Sequence, residues 1–248
     1  MSPSLPLLAL GAAVGLALGS FAVTCGLRLA RGGPMLAGRS RCDGCGAGLG
    51  AALTLPLLSY AALGGRSRCC GAPIDRTHLL GELAGALVVT GALWASLPSA
   101  SALLAGLGLV LITAATVDAR IRRLPDHLTL LVGCLGLGLA TLRGPGAVLE
   151  GVVAALLTVA TLLTIRAISA RRSGEPGLGL GDVKLIGALA LPMGVATPWA
   201  IAAAALLALP FSLRRTGPDR RTAFGPAIAI AAWPILVVVE AGAWPMTP

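Results

Sequence analysis

SASALLAGLGLVLITAATVDARIRRLP, Ser99 to Pro125, joins an apolar run to an acid, Asp118, and then to Arg120, Arg122 and Arg123. Nothing charged interrupts Ser99 to Val117, and a stretch of that length and composition suits a helix that crosses a bilayer. Arginines crowded at one end of such a helix mark the side that stays in the cytoplasm. Seven further apolar segments repeat the pattern, over about Ser4 to Leu27, His78 to Leu97, His127 to Leu142, Ala147 to Ile165, Val183 to Gly194, Val195 to Leu213 and Phe224 to Ala243. The fold expected is an all-α polytopic membrane protein of about eight transmembrane helices. Val183 to Gly194 is short enough to be half a span, or a broken helix that merges with the next.

Composition agrees. Of the 248 residues 56% are hydrophobic and 12% charged, where a soluble domain carries roughly 25% charge. The net charge of +9 would suit a nucleic-acid binder, but 3% aromatics leaves no stacking platform, so no nucleic-acid partner is expected. Topology explains the charge better: residues 28–77, 118–126, 166–184 and 213–223 together hold 18 of the 19 Lys and Arg, and only Arg143 lies opposite. Read with the positive-inside rule, these loops are cytoplasmic and both termini are outside. No basic residue precedes the first segment, and Arg28 and Arg31 follow it, so it is expected to remain as a membrane helix. The chain then divides into a first transmembrane helix (1–27), a small cytoplasmic cysteine-bearing domain between helices 1 and 2 (28–77) and a membrane-embedded domain (78–248).

Fifty residues bury little core, and small domains commonly need a metal or another staple. The loop carries Cys42 and Cys45 as C-x-x-C and the adjacent pair Cys69 and Cys70. A weak repeat relates Arg41 to Leu49 with Arg66 to Ile74, pairing Cys45 with Cys70 and Cys42 with Ser67. Two intact knuckles would be a strong zinc pattern. With serine at position 67, either Cys69 supplies the fourth thiolate or three cysteines and another group hold the ion; a metal-free loop is the alternative. Structural zinc bound by Cys42, Cys45, Cys69 and Cys70 is the expectation. Cys25 and Cys134 fall in apolar segments and read as packing residues.

Acids inside membrane segments are costly and usually functional. Asp118 ends its segment on the basic side, and Asp182 begins another on the same side, after the bare run Gly177-Leu178-Gly179-Leu180-Gly181 and two residues before Lys184. Two carboxylates at one face can share a proton, one ionised to activate water and the other protonated to polarise a carbonyl. By helix-end electrostatics, Asp182 at an N-terminus is expected to be the base and Asp118 at a C-terminus the acid. As boundary residues, Asp182 and Asp126 would be N-caps. Gly179 and Gly181 would let a substrate backbone approach. His78 and Glu82, four apart on a helix, would pair or line a pocket, and Glu150 and Glu240 fall near the outer interface.

Gly179-Leu180-Gly181-Asp182-Val183-Lys184-Leu185 resembles the GxGD-x-K-L motif of the bacterial type IV prepilin peptidases, intramembrane aspartyl proteases. Val117-Asp118 with Arg123-Leu124-Pro125-Asp126-His127-Leu128-Thr129 is similar to that family's first-aspartate region. So, in order, are Gly19-Ser20-Phe21 with Arg28-Leu29, Pro56-Leu57-Leu58-Ser59-Tyr60, Glu82 and Phe224-Gly225-Pro226. The resemblance implies an inner-membrane endopeptidase that removes the short basic leader of prepilins or type II secretion pseudopilins at the cytoplasmic face, after a glycine, with Asp118 and Asp182 as the catalytic pair. It also implies N-methylation of the new terminus in members that use S-adenosylmethionine. Val23, where the family usually has asparagine, and Ser67 depart from the pattern. The competing reading is an ion- or proton-coupled transporter using Asp118 and Asp182; such sites favour the bilayer midplane, whereas both acids sit at segment ends. A non-catalytic scaffold organised by the cysteine loop would leave both aspartates unexplained.

Overall fold

The structure, a computed structural model, describes residues 3–38, 40–50, 57–95, 98–175, 177–213 and 223–244. Its helices are α1 (Leu5–Ala30), α2 (Leu58–Ala62), α3 (Arg76–Ala95), α4 (Pro98–Ile121), α5 (Asp126–Arg143), α6 (Pro145–Ser173), α7 (Leu180–Met193), α8 (Thr197–Leu213) and α9 (Gly225–Glu240). Every expected apolar segment forms a helix. The short α2 was not anticipated, and Pro56 lies outside the described residues. Among the described residues, five stretches can cross a membrane by length and composition: Leu5–Ala30, Arg76–Ala95, Ser99–Ile121, Pro145–Ser173 and Leu180–Leu213. The protein is thus an all-α, multi-pass membrane protein.

Boundaries follow local chemistry. α6 runs past Ile165 to Ser173 because nothing breaks it before Gly174, whose left-handed φ of 78° closes it. Its last turns therefore carry Arg166, Arg171 and Arg172. Between α7 and α8 the chain breaks at Gly194, with φ 51°, in a 3-10 turn just after Pro192. Glu150 secures that break by accepting the Val195 amide at 2.9 Å.

α4 is the central helix, packing on α1, α3, α5 and α9; α7 packs among α5, α6 and α9, and α8 lies against α9. Leu104, Leu107 and Leu111, spaced three and four apart, point into the core with at most 2% exposure. α6 is nearly bare: Gly151 and Leu162 are its buried residues, while Leu149, Leu156, Leu157 and Leu163 face outward. Lipid rather than water suits such a surface, and in lipid helices associate by close packing because tails are as apolar as leucine.

The α1–α3 seam shows what that requires. A Cβ on Gly19 would lie 2.1 Å from the Gly81 carbonyl oxygen, and one on Gly85 would lie 2.2 Å from that of Gly15. The backbones touch because both sides lack side chains there.

Contacts between helix ends sort the loops. Arg120 at the end of α4 hydrogen-bonds Asp75 and Thr77 at the start of α3. Lys184 in α7 pairs with Asp126 in α5 at 2.7 Å, and Gly225 at the start of α9 reaches Asp118 in α4. Three of the four basic loops thus share one end of the bundle with the start of α9, while Arg214, Arg215, Arg220 and Arg221 of the fourth lie outside the described residues. At the other end Arg143 donates to the Pro192 carbonyl at 2.5 Å and faces Glu240 at 3.5 Å. Glu240, expected near the outer interface, sits at this end with its side chain 3% exposed, facing Arg143 and so joining α9 to α5.

Gly85→Val should force α1 and α3 apart and cost about 3 kcal/mol or more, seen as loss of a monodisperse, thermally stable species in mild detergent. Gly146→Ala, with open space around its Cβ, should behave as wild type within about 0.5 kcal/mol.

Candidate functional site

Asp118 is 4% exposed at the last turns of α4. A buried carboxylate needs donors, and the Gly225 amide supplies one to Oδ2 at 2.7 Å. Glycine is required there, since a Cβ would sit 2.9 Å from both Cβ and Oδ2 of Asp118. Because Gly225 is the first residue of α9, that helix aims its N-terminus at the acid.

Asp182 occupies the third position of α7, after the N-cap Gly179. It is therefore not the N-cap. Its side chain instead turns back to accept the Gly179 amide, the reach-back half of a capping box. The run before it is strapped to α6: Gly177 donates its amide to Ser169 Oγ at 3.1 Å, and Arg166 donates to the Leu178 carbonyl. Gly181 is pressed against Leu124, where a Cβ would lie 3.0 Å from that of Leu124. The two carboxylates face each other closely enough for the charge of Asp118 to act on Asp182. Sixty-four residues of separation are closed by the packing of α4, α7 and α9.

Because the N-terminus of α9 faces Asp118 at the end of α4, helix ends alone no longer separate the expected acid from the expected base. Asp126 also differs from expectation: Pro125 is the N-cap, and Asp126 in the first turn of α5 binds Lys184. Lys184 is half exposed and joins α7 to α5 rather than touching either aspartate in a hydrogen bond.

The cysteine-bearing segment carries the repeat into three dimensions. Arg41 bridges Gly48 as Arg66 bridges Pro73. Cys42 donates its amide to Ala47 and accepts from Gly46, and Ser67 does the same with Ala72 and Gly71. Gly46 and Gly71 turn with φ of 73° and 70°. The two knuckles bring Cys42, Cys45, Cys69 and Cys70 together, with all four sulfurs within 4.8 Å of one another. Cys42 and Cys70 are 3.7 Å apart and Cys45 and Cys69 3.3 Å. Four Zn–S bonds of about 2.3 Å place sulfurs about 3.8 Å apart, so the set fits a tetrahedral ion. Ser67 stays beside it, 3.1 Å from Cys70. Hydrogen bonds from Ser67 and from the Cys45 and Gly44 amides pull the Cys42 thiol down to about 6, toward the thiolate that a metal needs. Cys25 is buried as expected, whereas Cys134 is exposed on α5.

His78 and Glu82 do not pair. His78 lies 3.4 Å from Asp43, which Arg31 also holds at 2.7 Å. Hydrogen bonding to His78, against the opposing effect of burial, and the Arg31 bond bring Asp43 down to about 2. Glu82 is 7% exposed and accepts from the Ser20 hydroxyl at 3.0 Å and the Leu57 amide at 2.8 Å. Both His78 and Glu82 line one cavity of about 570 Å³ between α1, the cysteine segment and α3.

The pattern of the bacterial peptidase A24 N-terminal domain matches residues 13–96, and that of the type IV leader peptidase family matches 105–213. The chain is 34% identical over 206 residues to a prepilin leader peptidase/N-methyltransferase of Dichelobacter nodosus, covering 80% of this chain and 71% of the relative. It is 33% identical over 215 residues to one of Dickeya chrysanthemi, covering 83% and 75%. The chain belongs to the type IV leader peptidase family. Another relative so named, from Burkholderia pseudomallei (strain 1026b), is 35% identical over 201 residues, 77% of this chain, and the match spans 64% of that relative's length. No solved structure matches.

In this leader peptidase family member, the 105–213 match holds Asp118 and Asp182, and the 13–96 match holds the thiol cluster and Glu82. Arg166 and Ser169, which hold the glycine run, gave no sequence pattern that singled them out. Gly225 was visible only as part of Phe224-Gly225-Pro226, and its role as donor to Asp118 needed the fold.

Proposed function

We propose that the chain is an aspartyl endopeptidase that removes the short basic leader of type IV prepilins or type II secretion pseudopilins, with Asp118 and Asp182 as its catalytic pair. The observation that carries the reading is the approach of a buried carboxylate on α4 to a second one on α7, with an amide donor on each. In such a pair one carboxylate takes a proton from water as that water attacks the scissile carbonyl, while the other gives its proton to the carbonyl oxygen. The tetrahedral intermediate collapses with proton transfer to the leaving amine. The pair titrates as a unit, so the roles belong to the pair as a whole.

In this reading the end of the bundle that carries the aspartates and the basic loops faces the cytoplasm, and both termini face outward. A prepilin suits that arrangement: its apolar helix lies in the bilayer and its cationic leader stays among headgroups on the same side. Residues 28–77 form a cysteine-bearing domain with one structural zinc ion, and 78–248 form the peptidase domain. The relatives' printed name adds N-methyltransferase, and we assign methylation of the freed N-terminus to this chain as well. Val23 is 1% exposed and packs into the α1–α3 seam, where a Cβ on Gly81 would lie 2.1 Å from its Cγ2.

Coexpression with a candidate prepilin tests the peptidase. Asp118→Asn and Asp182→Asn should each slow leader removal by at least about 100-fold, and undiminished cleavage by both variants would refute the assignment. Metal content tests the thiol cluster: purified protein should hold one zinc per chain by mass spectrometry. Cys45→Ser and Cys70→Ser should lose it and Ser67→Cys should keep it; a metal-free wild type would count against the zinc site.

A further inference from the structure

The last third of α6 is not held by packing. Leu162 is the last of its buried residues, and past it only Arg166, Ser169 and Ala170 are even partly covered. Arg166, Ser169 and Ser173 are spaced three and four apart, so they share one face of the helix. Each bonds the backbone that follows. Arg166 donates to the Leu178 carbonyl, Ser169 accepts the Gly177 amide at 3.1 Å, and Ser173 donates to the Glu175 carbonyl at 3.3 Å. Ser169 also donates to the Arg166 carbonyl at 2.9 Å, which uses its one proton and leaves its lone pairs for Gly177.

The bond from Arg166 reaches further than the others. The Leu178 carbonyl and the Gly179 amide belong to one planar peptide unit. Arg166 grips the oxygen of that unit, and Asp182 accepts from its N–H. A guanidinium at one end and a carboxylate at the other polarise the unit in the same sense, so each bond strengthens its neighbour. Gly179 is extended there, with φ −67° and ψ 141°, and a Cβ on it would lie 2.8 Å from Asp182 Oδ2, so the carboxylate rests directly against this backbone. Resting on the peptidase reading, we infer that Arg166 and Ser169 are positioning residues for the aspartate pair: from α6 they fix the peptide unit whose amide holds the Asp182 carboxylate. Arg166 sets the tilt of that unit, and Ser169 fixes the unit that leads into Leu178. Their effect falls on the reacting geometry rather than on substrate affinity.

Purified full-length protein in detergent, cleaving a purified prepilin, provides the test. Arg166→Met keeps the apolar stem and removes the donor; it should lower kcat at least about 10-fold and leave KM within about twofold. Arg166→Lys restores a cationic donor and should recover kcat to within about threefold of wild type. Both side chains are only partly covered, so the unfolding midpoint of either variant should move by no more than about 4 °C. Hydrogen exchange read by mass spectrometry should show the amides of Leu178 to Asp182 exchanging at least about 10-fold faster in Arg166→Met than in wild type. Should Arg166→Met fail to fold, Ser169→Ala against Ser169→Thr decides by the same readouts, with threonine keeping the acceptor. An unchanged kcat, a raised KM at constant kcat, or a lysine variant as slow as the methionine one overturns the inference and leaves the peptidase reading intact. Wild-type protein that leaves the prepilin uncut overturns the peptidase reading instead, and the exchange rates then show separately whether Arg166 holds the peptide unit.

Discussion

A carboxylate buried at the end of a membrane helix must find donors, and the hydrogen bond from Gly225 to Asp118 meets that demand. Much of the bundle's arrangement bears on this contact. α9 must start at Asp118, which fixes its position along α4. Its far end is then set by Glu240, buried against Arg143 of α5. Arg143 also holds the Pro192 carbonyl at the end of α7, so the helix that carries Asp182 is tied to the helix that faces Asp118. The carboxylates meet because three helices are pinned at both ends. A shift of one helical residue, about 1.5 Å, would part the Gly225 amide from its acceptor.

Small residues make such pinning workable. Lipid gives little hydrophobic reward for bringing helices together, so α1 and α3 rely on contact between bare backbones at Gly15, Gly19, Gly81 and Gly85. That seam also sets the cavity. With the helices close at the glycines, Ser20 and Glu82 are within hydrogen-bond distance, and the space opens toward the cysteine segment. The thiol cluster and the aspartate pair occupy the same end of the bundle, joined by the Arg120 contact to Asp75 and Thr77. Along the sequence the 28–77 loop looked self-contained; in space it rests on the end of the helix that bears Asp118.

Patterns of chemistry with short range were legible from sequence. Eight apolar runs became helices, and the faint repeat between residues 41–49 and 66–74 became two knuckles with matching backbone bonds. The same reading paired Cys42 with Ser67 and left Cys69 as one source of the fourth thiolate, and the sulfurs do converge. Helix ends were less legible. Asp126 and Asp182 looked like N-caps because an acid preceded an apolar run, yet Pro125 and Gly179 take those positions. Proline and glycine adopt extended cap geometry without offering a side chain, which moves each acid inside the first turn. There Asp126 becomes free to bind Lys184, and Asp182 can bond back to Gly179. Partners distant in sequence were out of reach of any local pattern: nothing near Asp118 foretells a donor 107 residues later.

That donor changes the electrostatic argument for the pair. Taken along its own helix, Asp118 sits where the macrodipole disfavours negative charge, while Asp182 sits where it is favoured. α9 reverses the first half of that statement, since its N-terminus and the Gly225 amide face Asp118. Each acid is thus approached by a glycine amide at the start of a helix. Two carboxylates in similar fields cannot both stay charged at short range without large repulsion, so a shared proton is the economical state. Their environments differ mainly in access: Asp118 is sealed at 4% exposure, and Asp182 is only partly covered. In the proposed peptidase the more open side of the pair is therefore that of Asp182, beside Gly179 and the run strapped to α6. The bare backbone before Asp182 is fixed from α6, where the Ser169 hydroxyl accepts the Gly177 amide and Arg166 donates to the Leu178 carbonyl, and that helix buries little of its own surface.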